Sequence, residues 1–166
     1  MSEPPVGTPP QRYRDARGNA VAYDGTTPVT WRIGAYVLAE RDGRVLMIES
    51  RESGRWELPG GGVGVHETLA DGARRECFEE TGYRVTALAA APLWVAEQFF
   101  SWQGARRHYW HALSVVFRAT VAPAPDPAGV PDPVEVQAVR WVEPARLRPA
   151  TTQPHQWPAL QRAGLV

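Results

Sequence analysis

Apolar residues fall along this chain in short runs separated by turn formers, and in one stretch only they recur at helical spacing. Arg32 to Ala39 carries Ile33, Ala35, Tyr36, Val37 and Leu38 and predicts a buried strand. Asp42-Gly43 is a two-residue turn of the kind that closes hairpins, so Val45 to Ile48 reads as the returning strand. Trp56 to Leu58 predicts a short extended piece, stopped by Pro59 and by the glycines at 60, 61 and 62. Further strands are predicted over Val85 to Ala90, Leu93 to Phe99, Ala112 to Val121 and Val134 to Val142. The prolines between Ala122 and Pro133 predict a loop, and Pro144 and Gln156 open two short helical pieces. Tyr13 to Trp31 holds turn signals at Arg17-Gly18-Asn19 and Asp24-Gly25, between which short strands fit.

The helical stretch has a start and a stop. Thr68 stands three residues before Asp71, a capping-box arrangement, and Gly82 is suited to the left-handed conformation that ends helices. Between them Leu69, Ala70, Ala73 and Cys77 form one apolar stripe. Gly72 in the interior costs about 1 kcal/mol relative to alanine. Strands on both sides of a central helix, with another helix at the end, predict an α+β or mixed α/β architecture. Residues 1–12, proline-rich at their start, are expected to be a flexible tail, and 13–166 a single domain.

Composition narrows the setting. No apolar run reaches the roughly 18 to 20 residues of a membrane helix, and no secretory signal opens the chain. The lone cysteine, Cys77, excludes an internal disulfide and suits a reducing cytoplasm. Acidic and basic residues balance at 18 each, which argues against broad, sequence-independent nucleic-acid binding. A small phosphate-bearing ligand remains compatible with that balance.

The chemistry lies in the helix. Glu76, Glu79 and Glu80 stand at i, i+3 and i+4 and share one face. Taken alone, such a trio reads as a solvated acidic face. Beside the loop Gly60-Gly61-Gly62, which lets backbone approach a ligand, it becomes a candidate site for a hard cation with oxygen ligands. The segment Gly61, Glu67, Arg75-Glu76-Cys77, Glu79-Glu80 and Gly82-Tyr83 resembles the Nudix box in every charged and glycine position. Cys77 and Tyr83 replace the usual aliphatic residues, Gly64 replaces a frequent glutamate, and His66 replaces the usual glycine before Glu67. His66 reads as a loop residue facing solvent, strained if the glycine's backbone freedom is needed there. The likeness runs from about Ile33 to Leu147.

That resemblance implies the Nudix fold, a mixed β-sheet sandwiched between helices, and Mg²⁺-dependent hydrolysis of a diphosphate linkage in a nucleoside diphosphate joined to another moiety. Mn²⁺ is the expected substitute. It implies Glu79 and Glu80 as principal metal ligands, with Glu76, the Gly60 carbonyl and the late acidic residue Glu135 completing the set. Glu67 and Arg75 would hold the loop against the helix, and Glu76 or Glu79 would act as general base, with Glu135 a further candidate. Arg51, Arg55 and Phe99 are candidate substrate contacts, with Phe100 and Trp102 as other aromatics able to stack on a base. The expected partner is a small nucleotide-type substrate, and a homodimer is compatible with the aromatic supply. A non-catalytic nucleotide sensor and an RNA 5′-end pyrophosphohydrolase are the alternative functions.

Overall fold

The computed structural model describes residues 13–104 and 106–166, so the expected tail over residues 1–12 lies outside the described residues. Two long strands carry the architecture. β3 (Val29–Arg41) pairs in parallel with β9 (Arg107–Val121) from Val29↔Tyr109 to Ala39↔Ala119. Both are covered on two faces over much of their length, which is why the run from Gly34 to Ala39 is nearly continuously apolar. Before β3 lie the two-residue strands β1 (Tyr13–Arg14) and β2 (Ala20–Val21), paired antiparallel. β4 (Arg44–Ser50) follows the Asp42-Gly43 turn, where both residues take positive φ as such a hairpin requires.

β4 pairs with β3 only beside this turn and then diverges. The opened edge of β3 is taken by β6 (Gly60–Gly62), with Gly34↔Gly62 and Tyr36↔Gly60, while β5 (Trp56–Glu57) stays on β4. α1 (Leu69–Thr81) follows, then β7 (Val85–Leu88) and β8 (Trp94–Gln103), both antiparallel to β9. β10 (Val136–Val142) returns to β4, and the chain closes with a 3-10 turn at Pro144–Arg146 and α2 (Trp157–Arg162). The main strand order is β10-β4-β3-β9-β8-β1-β2.

Alternation along β3 divides the core. Ala35, Val37 and Ala39 face one side, with Ala73 and Cys77 of α1. Leu38, with Tyr36 packed alongside, faces the other, with Ala159 and Leu160 of α2. The mixed sheet is thus held between helices, as expected. Among the described residues no helix is long and apolar enough to cross a membrane.

Candidate active site

Thr68 caps α1 by accepting from the Asp71 amide at 3.1 Å, and Gly82, at φ 74°, ends it. The Thr68 hydroxyl also donates to Asp71 Oδ2, so the expected pair forms through side chains. The predicted stripe needs one correction. Gly72, Ala73, Cys77 and Thr81 are buried, whereas Leu69 is 37% exposed. The line of contact is shifted because Gly72 rests on Val63, whose Cγ2 would be 3.0 Å from a Cβ at that position. A Cβ there would require the Val63 side chain to give way.

This seating aims the acidic face at β6. The Gly60 amide donates to Glu80 Oε2 at 2.8 Å. Burial pushes the Glu80 carboxyl well above its usual range, and the charges of Glu57, Glu76 and Glu135 push the same way. Burial also raises Glu76, against the pull of Arg75. Glu79 is the exposed member of the trio. Arg75 ties the group together. Its Nε and Nη2 grip both oxygens of Glu67 at 2.6 and 2.9 Å, and Nη1 reaches Glu76 at 2.9 Å and Glu79 at 2.8 Å. Nη2 also donates to the Gly62 carbonyl at 2.8 Å. The Arg75 bonds, helped by the Gly64 amide, hold Glu67 down to about 2.

His66 is exposed and does not take a positive φ, so the loop accommodates it without backbone strain. Gly64 contributes its amide to Glu67 Oε2 at 2.8 Å. Cys77 and Tyr83 pack as expected: Cys77 is buried in the α1 core, and Tyr83 meets Trp141 edge-on at 5.7 Å and accepts its indole N–H.

Two hollows adjoin. A narrow cleft is bordered by Glu76, Glu79, Glu80 and Glu135. A cavity of 1020 Å³ opens beside it, lined by Arg32, Tyr36, Glu57, Phe100, Trp110 and His155 among others, and Glu135 borders both. The structure therefore brings Glu135, distant in sequence, to the box glutamates. Phe99 also borders the cavity, held between Tyr13 at 5.6 Å and His111 at 4.4 Å. Arg51 and Arg55 do not line it. Arg51 Nε donates to the Pro133 carbonyl at 2.6 Å, and Arg55 donates to the carbonyls of Thr152 and Arg17 at 3.1 and 2.8 Å.

Several cavity residues escaped sequence reasoning. Arg32 and Tyr36 alternate along β3 with the apolar positions that face α1, a period of two visible in the sequence but without a direction attached. Glu57 precedes the glycine loop, where its burial is invisible locally; burial raises its carboxyl, and Gln153 and Ser53 donate to it. His155 carried no signal. Its Nε2 is buried without a hydrogen-bond partner, and burial lowers the ring to about 4.

The donor set suits a divalent cation: carboxylate oxygens, one of them buried on Glu80, with Arg75 as the cation gripping Glu67, Glu76 and Glu79. Among the described residues no three acidic, histidine or cysteine side chains form a finished cage. A cation held here needs water or substrate oxygens to complete its shell, which is the habit of Mg²⁺.

Mixed sheet and capped helix together define a fold of the Nudix hydrolase class, and comparison with known proteins agrees. A family model described as the NUDIX domain matches residues 29–163. A MutT-like protein of Streptomyces ambofaciens is 49% identical over 51 residues, a stretch covering 31% of this chain and 33% of that protein. A Bacillus subtilis (strain 168) protein, provisionally described as an 8-oxo-dGTP diphosphatase, is 25% identical over 115 residues, 69% of this chain and 68% of the relative. The crystal structure of a MutT NUDIX hydrolase from Burkholderia pseudomallei superposes with a TM-score of 0.61 at 27% identity, covering 79% of this chain and 96% of that one. The chain belongs to the Nudix family, a class of pyrophosphohydrolases whose members use divalent metal ions.

Proposed function

We propose that this chain hydrolyses a diphosphate linkage in a nucleoside diphosphate derivative, with Mg²⁺ as cofactor and Mn²⁺ as a substitute. The observation that carries the reading is the junction at Glu135, where the four-glutamate cleft meets a cavity large enough for a nucleoside. A sensor would have no use for a carboxylate buried among carboxylates. Glu80 is costly to keep ionised there unless a cation joins it.

Glu79, Glu80, Glu76, Glu135 and the Gly60 carbonyl would hold the metal. Bound there, it would neutralise phosphate oxygens and lower the pKa of an attacking water. The chain's own groups do the rest. Arg75, clamped by Glu67, fixes the rotamers of Glu76 and Glu79 and so sets where their free oxygens point. Glu76, pressed against Gly61, and the exposed Glu79 are the candidates to take the water's proton. The aromatic wall of Phe100 and Trp110 offers apolar surface for a base. The single, buried cysteine suits the reducing cytoplasm, where such substrates arise.

The test is turnover with Mg²⁺ on nucleoside triphosphates, sugar nucleotides, dinucleoside polyphosphates and 5′-triphosphate RNA. The Bacillus subtilis relative puts oxidised purine triphosphates first in that panel. Turnover of one class that disappears in both Glu79→Gln and Glu80→Gln is the expected result. Tight binding of a nucleotide with no turnover of any class would establish the sensor instead.

A further inference from the structure

β6 separates two chemistries. Its glycines 61 and 62 face opposite sides: a Cβ at 61 would meet Glu76 Oε2 at 2.6 Å, and one at 62 would meet Arg32 Nη2 at 3.2 Å. The Arg32 guanidinium therefore lies against β6 on the side away from the box carboxylates. It stands 5.1 Å from the centroid of the Trp110 ring, which stacks on Phe100 at 5.5 Å. Parallel pairing of β3 with β9 and antiparallel pairing of β8 with β9 bring these three side chains to one wall of the large cavity.

Among the described residues two arginines line this cavity. Arg14 is engaged with the Gly18 carbonyl at 3.0 Å. Arg32 makes no hydrogen bond or ion pair to a described residue, so its fork of donors is available to a ligand. The carboxyl groups of the wall, Glu57 and Glu135 among them, offer an anion no positive charge. Whatever negative group enters has Arg32 as its cation, and a planar fork matches the oxygens of a phosphate. The ring of Trp110 restricts the guanidinium, so less freedom is lost on binding.

We propose that Arg32 binds the phosphate that stays on the nucleoside after cleavage, making the cavity a site for a nucleoside 5′-monophosphate group. This rests on the hydrolase reading above. With the phosphoryl group under attack at the box carboxylates and its neighbour at Arg32, the diphosphate spans the junction bordered by Glu135. Arg32 is then a positioning and specificity residue that acts in binding.

The probes are the four deoxynucleoside 5′-monophosphates and their nucleosides, titrated calorimetrically into the metal-free protein. At least one monophosphate should bind about 10- to 100-fold more tightly than its nucleoside, the scale of a charge-assisted contact. Arg32→Gln should remove that preference and Arg32→Lys restore part of it, since lysine keeps the charge and loses the fork. In turnover, Arg32→Gln should raise KM by a similar factor and change kcat little. A monophosphate preference that survives Arg32→Gln, or no monophosphate binding at all, overturns the proposal. The two readings fail separately. An Arg32-dependent preference without turnover of any diphosphate would leave this site standing and remove the hydrolase; turnover indifferent to Arg32→Gln, with monophosphate binding unchanged, would do the reverse.

Discussion

Position 61 and the carboxylate of Glu76 occupy adjoining space so closely that a Cβ on residue 61 would stand 2.6 Å from Glu76 Oε2. The atom in the way is the end of a flexible side chain, so Gly61→Ala should fold with a melting temperature close to that of the parent. The displaced carboxylate should cost turnover on the order of 10²-fold, as small misplacements in an active site do. Gly60 differs. Its φ is 148°, and a Cβ there would meet backbone, Ala35 O at 2.3 Å and Tyr36 Cα at 2.5 Å. Gly60→Ala should lose about 2 kcal/mol or more of stability. Denaturant titration alongside kinetics separates the two, and a strongly destabilised Gly61→Ala would contradict this account.

Burial holds the Glu80 carboxyl well above its usual range, because the charged form is disfavoured there. Glu80→Gln should raise the melting temperature of the metal-free protein, because a buried carboxylate among carboxylates is removed while an amide oxygen remains to accept from the Gly60 amide. The same variant should lose the stabilisation that Mg²⁺ gives the parent, and turnover should fall on the order of 10²-fold. Thermal scans with and without Mg²⁺ check both. An unchanged Mg²⁺ response would take Glu80 out of the metal site.

Arg75 holds Glu67 down to about 2, so this pair is intact across the working range. In Arg75→Gln the Glu67 carboxyl should titrate closer to its ordinary value, followed by NMR of the side-chain carboxyl. The sign is that of a depressed carboxylate. Its stabilising effect is present above the unfolded pKa and is lost as pH falls through the folded one. Arg75→Lys should keep a charge near Glu79 and lose the two-pronged grip on Glu67, so activity should fall even where the fold is kept.

His155 works in the opposite part of the scale. Burial lowers its ring to about 4, so the unfolded chain takes up the proton first as pH falls from about 6.5. The parent should lose stability relative to His155→Phe across pH 6.5 to 4, by about 3 kcal/mol at most, and the gap should level off below. Parallel denaturation curves of the two proteins over that range decide it. A constant difference would show that His155 is not buried as a neutral ring.

Much of α1 was legible beforehand because its signals are local. Thr68, Gly82 and the spacing of Glu76, Glu79 and Glu80 act through hydrogen bonds and side-chain neighbours within a turn or two of helix, and the structure has them where the sequence put them. The same holds for Asp42-Gly43, whose φ values follow from two adjacent residues. Leu69 shows the edge of that knowledge. Periodicity alone set the stripe through it, but the contact of Gly72 with Val63 turned the helix face away from it.

What the sequence by itself determined, then, is the helix with its carboxylates and caps, the Asp42-Gly43 hairpin turn and the central parts of the longer strands, but not β6, whose glycines read as a loop. Only the tertiary structure decided that β3 runs parallel to β9, that β6 takes the edge left by β4, and that Glu135 and Glu57 come near Glu80. Arg32 beside Trp110 belongs to the same class of fact. The physical reason is range. Capping and turn geometry are fixed by bonds between near neighbours, whereas strand register and burial depend on contacts between residues far apart in the chain, formed only once the whole sheet has assembled.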